Sequence, residues 1–197
     1  MKEALRSMTE DMMAMIRRKD FALFNLALSG GETAKHMFSL WVDEYKDKID
    51  WNNIRFFWVD ERCVPPTSPD SNYGHANHLL FKPLRIPADH IHRIKGENEP
   101  GTEAMRYSWV VKEFLPLFNQ MPTFDCILGL GEDSHTASIF PTTMELLSDS
   151  RNYAVSQQPS TGQYRITMTG PLILNGAPLL VPILGTNKEP VIQRLSK

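Results

Sequence analysis

The stretch FDCILGLGEDSHTASIFP, residues 124–141, decides the fold class. Its first five residues, Phe124 to Leu128, form a short apolar run that reads as a buried parallel strand. The run ends in a Gly-rich turn, and Asp133, His135, Thr136 and Ser138 follow closely. An open α/β sheet places its chemistry at such strand ends.

Working outward, the same pattern recurs. Phe21 to Leu28 reads as a strand that runs into Ser29-Gly30-Gly31, and residues 33–45 then show helical spacing at Met37, Leu40, Trp41 and Glu44. Ile54 to Val59 is aromatic and β-branched, as strands favour. A loop is expected from Asp60 to about Pro69. Asp70, Ser71 and Asn72 supply N-cap side chains for a helix to about Leu80. Ile86 to Ile94 reads as a short connection and strand, and residues 102–118 as a helix until Pro116. Tyr153 to Ser156, Tyr164 to Met168 and Leu179 to Leu184 are further strand candidates, with a last helix from about Asn187. Residues 3–18 form an amphipathic helix with Leu5, Met8, Met12, Met15 and Ile16 on one face. Strands that alternate with helices predict a three-layer α/β/α domain with a mainly parallel, Rossmann-like sheet. One domain over residues 1–197 is expected. Both ends are abrupt, as in a chain that lacks terminal elements.

Five segments carry candidate chemistry. In Ser29-Gly30-Gly31-Glu32-Thr33, two glycines allow backbone N–H groups close to an anion at an electropositive helix start, and Ser29 and Thr33 add hydroxyl donors. The same turn would also serve as a plain strand-to-helix connection. Asp60-Glu61-Arg62 follows a strand; Arg62 suits a phosphate or an acid, and Asp60 can orient a neighbour or take a proton. As a bare triplet it equally suits a solvated turn. His135 titrates near neutral pH and can act as a base, Asp133 can fix its tautomer, and Thr136 and Ser138 can donate to an anion. Arg165, with Thr167, and Lys188 place cations near predicted strand ends. The pairs His75/His78 and His90/His92 lack the further ligands of a metal site and read as surface or capping residues.

Taken together the segments resemble the 6-phosphogluconolactonase family. The similarity runs through LALSGGETA, FFWVDERCVPPTSPDSNYG, FDCILGLGEDSHTASIFP and RITMTGPLILNGAPLLVPILGTNKEPVI, in order and over most of the chain. The related glucosamine-6-phosphate deaminases share the fold and the Gly-Gly turn but carry Asp-Glu-Tyr at Asp60-Glu61-Arg62 and His-Ile-Ala-Phe-Asn at residues 135–139, so on both counts the chain resembles the lactonases. The resemblance implies the fold of the sugar-phosphate isomerases and lactonases. It also implies hydrolysis of 6-phospho-D-glucono-1,5-lactone to 6-phosphogluconate in the pentose phosphate pathway, with no cofactor and no metal. By resemblance, His135 is the general base and Asp133 assists it. Ser29, Gly30, Gly31, Thr33, Asp60, Arg62, Arg165 and Lys188 hold the phosphate and sugar. Ser134, Glu32, Ala34 and Thr142 depart from the family pattern, which has Gly, Ser or Thr, Pro and Gly there. A deaminase or isomerase acting on an amino-sugar phosphate, and a sugar-phosphate sensor without turnover, are the other readings.

Composition agrees with an ordinary soluble globular protein: 42% apolar and 22% charged residues over 197 positions. A net charge of −2 excludes the basic excess of a nucleic-acid binder. No signal peptide is visible, and the apolar region from Leu172 to Leu184 is interrupted by Asn175, Gly176, Pro178 and Pro182, so no membrane span is expected. The two cysteines, Cys63 and Cys126, show no disulfide or metal spacing, which suits a cytoplasmic protein; the partner that the resemblance implies is a small sugar-phosphate lactone.

Overall fold

The computed structural model describes residues 1–20, 22–129 and 137–181. Helix α1 (Lys2–Arg18) buries Leu5, Met8, Met12 and Met13. Thr9 is buried with them because its hydroxyl donates to the Leu5 carbonyl at 2.7 Å and accepts from Trp41 Nε1 at 2.9 Å. Strand β1 (Phe24–Leu28) is buried at every position, as a strand covered on both faces must be. Helix α2 (Glu32–Glu44) follows, then β2 (Ile54–Trp58) and β3 (Asp60–Arg62). The Asn72 region forms α3 (Asn72–Ala76), a π-helical turn (Asn77–Phe81) and α4 (Lys82–Leu84). Helix α5 (Pro100–Phe114) leads to the hairpin β4 (Leu117–Phe118) and β5 (Met121–Pro122), and then to β6 (Cys126–Leu128). After a 3-10 segment at Pro141–Leu147 come β7 (Tyr153–Gln157), β8 (Tyr164–Met168), α6 (Gly170–Ile173) and β9 (Leu179–Leu180).

The central sheet is parallel, in the order β2-β1-β6-β9. Chain order reverses at β1, which has β2 on one side and β6 on the other, so the crevice beyond the carboxyl ends of β1 and β6 is a topological switch point. A second sheet, β3-β8-β7, is antiparallel. Val59 is the joint between the two. Its N–H donates to Leu28 O at 2.9 Å, and its carbonyl accepts from Met168 N at 2.8 Å.

Two expectations are corrected, and a third, unpaired cysteines, holds. Asp60 does not open a loop: Asp60–Arg62 is a strand paired with Arg165–Thr167, because partners distant in the chain satisfy its backbone. Ile86–Ile94 forms no strand, but a 3-10 turn at Ala88–His90 and a single bridge from Phe56 to Ile91. Cys63 and Cys126 are free, and burial pushes the Cys126 thiol up to about 12, as befits a core side chain. No helix among the described residues is long and apolar enough to cross a membrane.

Candidate functional site

At the switch point, Gly31 caps α2 with φ 93°, a left-handed value that no other residue adopts cheaply. Among the described residues no side chain caps the helix, whose first N–H groups have no partner within the helix itself. Glu32 turns away: its side chain is 71% exposed and pairs with Lys35 at 2.6 Å. It therefore leaves the turn free for an anion. Gly129, at the end of β6, closes the other side. Its φ is +98°, and a Cβ there would stand 2.7 Å from both Cβ and Oγ of Ser29. Ser29 and Gly129 are thus in direct contact across the ends of β1 and β6.

The Asp-Glu-Arg triplet divides its side chains. Glu61 is buried, and its two carboxylate oxygens accept from the N–H groups of Arg62, Asn72 and Tyr73 at 2.8 Å each and from Ser71 Oγ at 3.1 Å. Burial raises the pKa of this carboxyl, and the three backbone donors oppose that rise. Asp60 is also buried, and its Oδ2 accepts from Ser138 Oγ at 2.5 Å. The Ser138 N–H donates to Thr167 Oγ1 at 3.0 Å. Ser138 was expected to donate to an anion; its one hydroxyl proton goes to Asp60 instead. These bonds hold the chain next to Ala137, which carries a left-handed φ of 55°; a non-glycine residue keeps such a value only when its surroundings impose it.

Arg62 and Arg165 are direct cross-strand partners. Two like charges opposite each other in a sheet repel. Arg62 Nη1 donates to the Asp70 carbonyl at 2.7 Å, but its Nε, and that of Arg165, are buried with no hydrogen-bond partner among the described residues. Among the described residues neither guanidinium forms an ion pair. The pKa of Arg165 is lowered, first by burial and then by the Arg62 charge. An anion between the two guanidinium groups would satisfy both Nε donors and cancel the repulsion.

Asn72 is the site residue that sequence reading missed, having taken it only as a capping candidate. Ser71 is the cap, and its Oγ accepts from Gly74 N at 2.9 Å. Asn72 is 2% exposed and donates through Nδ2 to the Asp60 carbonyl at 3.0 Å. Its Oδ1 lies 1.8 Å from where a Cβ on Gly30 would stand, so only glycine fits at position 30. The Ser-Pro-Asp-Ser-Asn run after a strand end was the available signal.

Ser29, Gly30, Gly31, Asp60, Arg62 and Arg165 are thereby linked through a chain of contacts, with Thr33 in the first turn of α2. His135, Asp133, Ser134, Thr136 and Lys188 lie outside the described residues. A cavity of about 280 Å³ elsewhere is lined by Tyr73, Ile91, His92, Arg93, Lys95 and Arg106. Its arginines are already paired, with Glu97 and Glu103, unlike the Arg62–Arg165 pair. His92 there is no surface or capping residue. Its ring lies against Phe57 and Phe114, where burial, with Arg55 and His90 nearby, lowers its pKa to about 4.

The sequence profile of the family described as glucosamine-6-phosphate isomerases/6-phosphogluconolactonase matches residues 1–197. The chain is 41% identical over 177 residues to the 6-phosphogluconolactonase of Treponema pallidum, covering 89% of this chain and 73% of that one. With the 6-phosphogluconolactonase of Haemophilus influenzae it shares 40% over 174 residues, 87% of this chain and 72% of the other. The structure of the Trypanosoma cruzi 6-phosphogluconolactonase superposes with a TM-score of 0.84 at 27% identity, covering 98% of this chain and 80% of that one.

Proposed function

Because the chain belongs to the family of glucosamine-6-phosphate isomerases and 6-phosphogluconolactonases, we propose that it hydrolyses 6-phospho-D-glucono-1,5-lactone to 6-phospho-D-gluconate. The observation that carries this reading is the Arg62–Arg165 pair, two half-buried arginines at the ligand edge whose buried Nε atoms have no hydrogen-bond partner among the described residues. An oxyanion as compact and highly charged as a phosphate suits them better than a neutral sugar.

In this reading the phosphate sits between the α2 N-terminus (Ser29, Gly30, Gly31 and Thr33) and the two arginines, with Lys188 as a further cation. Asp60 acts on the protein rather than on the phosphate, since a carboxylate repels that group and its Oδ2 is engaged by Ser138. His135 takes a proton from water as the water oxygen adds to the lactone carbonyl carbon, and Asp133 holds the imidazole in the required tautomer. The tetrahedral intermediate then collapses, the bond from C1 to the ring oxygen breaks, and the imidazolium returns its proton to that oxygen. No electron acceptor enters, so the reaction needs no redox cofactor. Binding the phosphate, remote from C1, supplies the energy that fixes C1 near the base. The two free cysteines agree with a cytoplasmic setting for this reaction.

The test follows lactone decay against its spontaneous background, with the unaltered protein and with His135→Ala. The unaltered protein should accelerate decay. The variant should lose about 10²-fold or more while still binding inorganic phosphate. Release of ammonia from an amino-sugar phosphate, with no lactone turnover, would overturn the reading.

A further inference from the structure

The proposed anion site is assembled from two sheets. The Gly30–Gly31 turn follows β1 of the parallel sheet, whereas Arg62 and Arg165 belong to the antiparallel one. Backbone joins the sheets through Val59, near the root of the site rather than across it. Among the described residues the Asn72 side chain spans the gap between Gly30 and β3. Asn72 is held to β3 twice, by its N–H on Glu61 Oε1 at 2.8 Å and by its Nδ2 on the Asp60 carbonyl at 3.0 Å. Its Oδ1 presses on Gly30 so closely that a Cβ would overlap it.

That Oδ1 is buried without a hydrogen-bond partner among the described residues. The reverse orientation of the amide would be worse, setting its oxygen against the Asp60 carbonyl oxygen. A buried, unpaired acceptor costs stability, and an alanine would avoid the cost. What the amide provides in return is a fixed spacer between Gly30 and β3.

We infer that Asn72 is a positioning residue for the phosphate end of the substrate. It sets the separation between the Gly30–Gly31 backbone donors and the Arg62–Arg165 pair, so that one dianion meets both. The inference rests on the reading of that site as a phosphate site. Glu61 serves the same end one step further back, by fixing the start of α3 to β3 through Asn72 N and Tyr73 N.

The experiment compares Asn72→Ala and Asn72→Asp with the unaltered protein in three measurements: steady-state kinetics on the phospholactone, kinetics on the lactone that lacks the phosphate, and direct titration with inorganic phosphate. The variants should raise KM for the phospholactone about tenfold, the scale of one buried hydrogen bond. They should weaken inorganic phosphate by the same factor and leave kcat/KM on the unphosphorylated lactone as it was. A general loosening of the fold would lower both lactones together, and that result overturns the inference. Unchanged phosphate affinity overturns it as well. Gly30→Ala approaches the same contact from the other side and should weaken phosphate similarly, so the inference remains testable if the Asn72 variants fail to fold. If the unaltered protein binds inorganic phosphate but does not turn over the lactone, the activity reading fails while the phosphate titrations still decide the role of Asn72.

Discussion

Ser138→Ala isolates the bond that fixes the chain just after Thr136. In the native fold Ser138 Oγ donates to Asp60 Oδ2 at 2.5 Å, and both residues are buried. Removing the hydroxyl leaves a buried carboxylate short of its donor, a loss of about 1.5–3 kcal/mol for a hydrogen bond to a charged group. For a chain of this size each kcal/mol moves the melting point by about 2–4 °C, so the fall should be about 3–12 °C. Asp60→Ala alone strands the Ser138 hydroxyl and opens a small void, which costs about 1–3 kcal/mol. The double variant removes both members, and its cost should fall short of the sum by about 1–3 kcal/mol. Urea denaturation of the four proteins, followed through the buried Trp41 and Trp58, measures that coupling. Additive costs, to within about 0.5 kcal/mol, would show that the two side chains do not depend on each other and would refute the clamp.

Gly129→Ala meets two penalties, a left-handed backbone and a Cβ 2.7 Å from Ser29. A loss of about 2–4 kcal/mol is expected from strain plus overpacking; a melting point equal to that of the unaltered protein would contradict the contact between the ends of β1 and β6. His92 has a pKa of about 4 in the fold against an ordinary value near ~6.5. Its folded pKa is depressed, so the stability it contributes is present above about pH 6.5 and is lost as pH falls toward about 4. The full shift corresponds to about 3 kcal/mol, which solvent screening of a half-buried ring reduces to about 1–2 kcal/mol. His92→Phe should keep the ring packing and flatten that acid loss when urea midpoints at pH 7 and pH 4.5 are compared; an unchanged acid loss would assign it to other groups.

The parallel strands were legible because burial on both faces writes itself as an apolar run. Phe24–Leu28, Ile54–Trp58 and Cys126–Leu128 all lie within the expected spans. Helix α1 was legible through its spacing. Strand β3 was not, since Asp60, Glu61 and Arg62 carry no apolar pattern and pair with Arg165–Thr167, far along the chain. Local propensity holds no record of such a partner. The same limit governs Ser138, whose hydroxyl was a plausible anion donor until Asp60 was seen to take it. His92 read as a surface residue because two aromatic neighbours from other elements, Phe57 and Phe114, enclose it. Residue type pointed to Ser29, Gly30, Gly31, Arg62 and Arg165. Asn72 acquires its role only from Gly30 and Asp60 arriving on either side of it.

The pleat of β3 explains why three charged residues in a row can serve one site. Alternate residues of a strand face opposite sides. Glu61 therefore turns one way, to the start of α3, while Asp60 and Arg62 turn the other. Their cross-strand partners on β8 share that face, Thr167 opposite Asp60 and Arg165 opposite Arg62. One end of this face is the clamp, where Asp60 and Thr167 grip Ser138 through its hydroxyl and its N–H. The other end is the guanidinium pair. Two residues of strand separate them, about 6.8 Å. A hexose 6-phosphate holds its phosphorus and its C1 apart on the same scale, so in the proposed reading a phosphate at Arg62 and Arg165 leaves the sugar able to reach the chain that Ser138 anchors. A strand register set by backbone hydrogen bonds thus fixes the span between anion site and anchored segment, and neither Asp60 nor Thr167 needs to touch the substrate to do so.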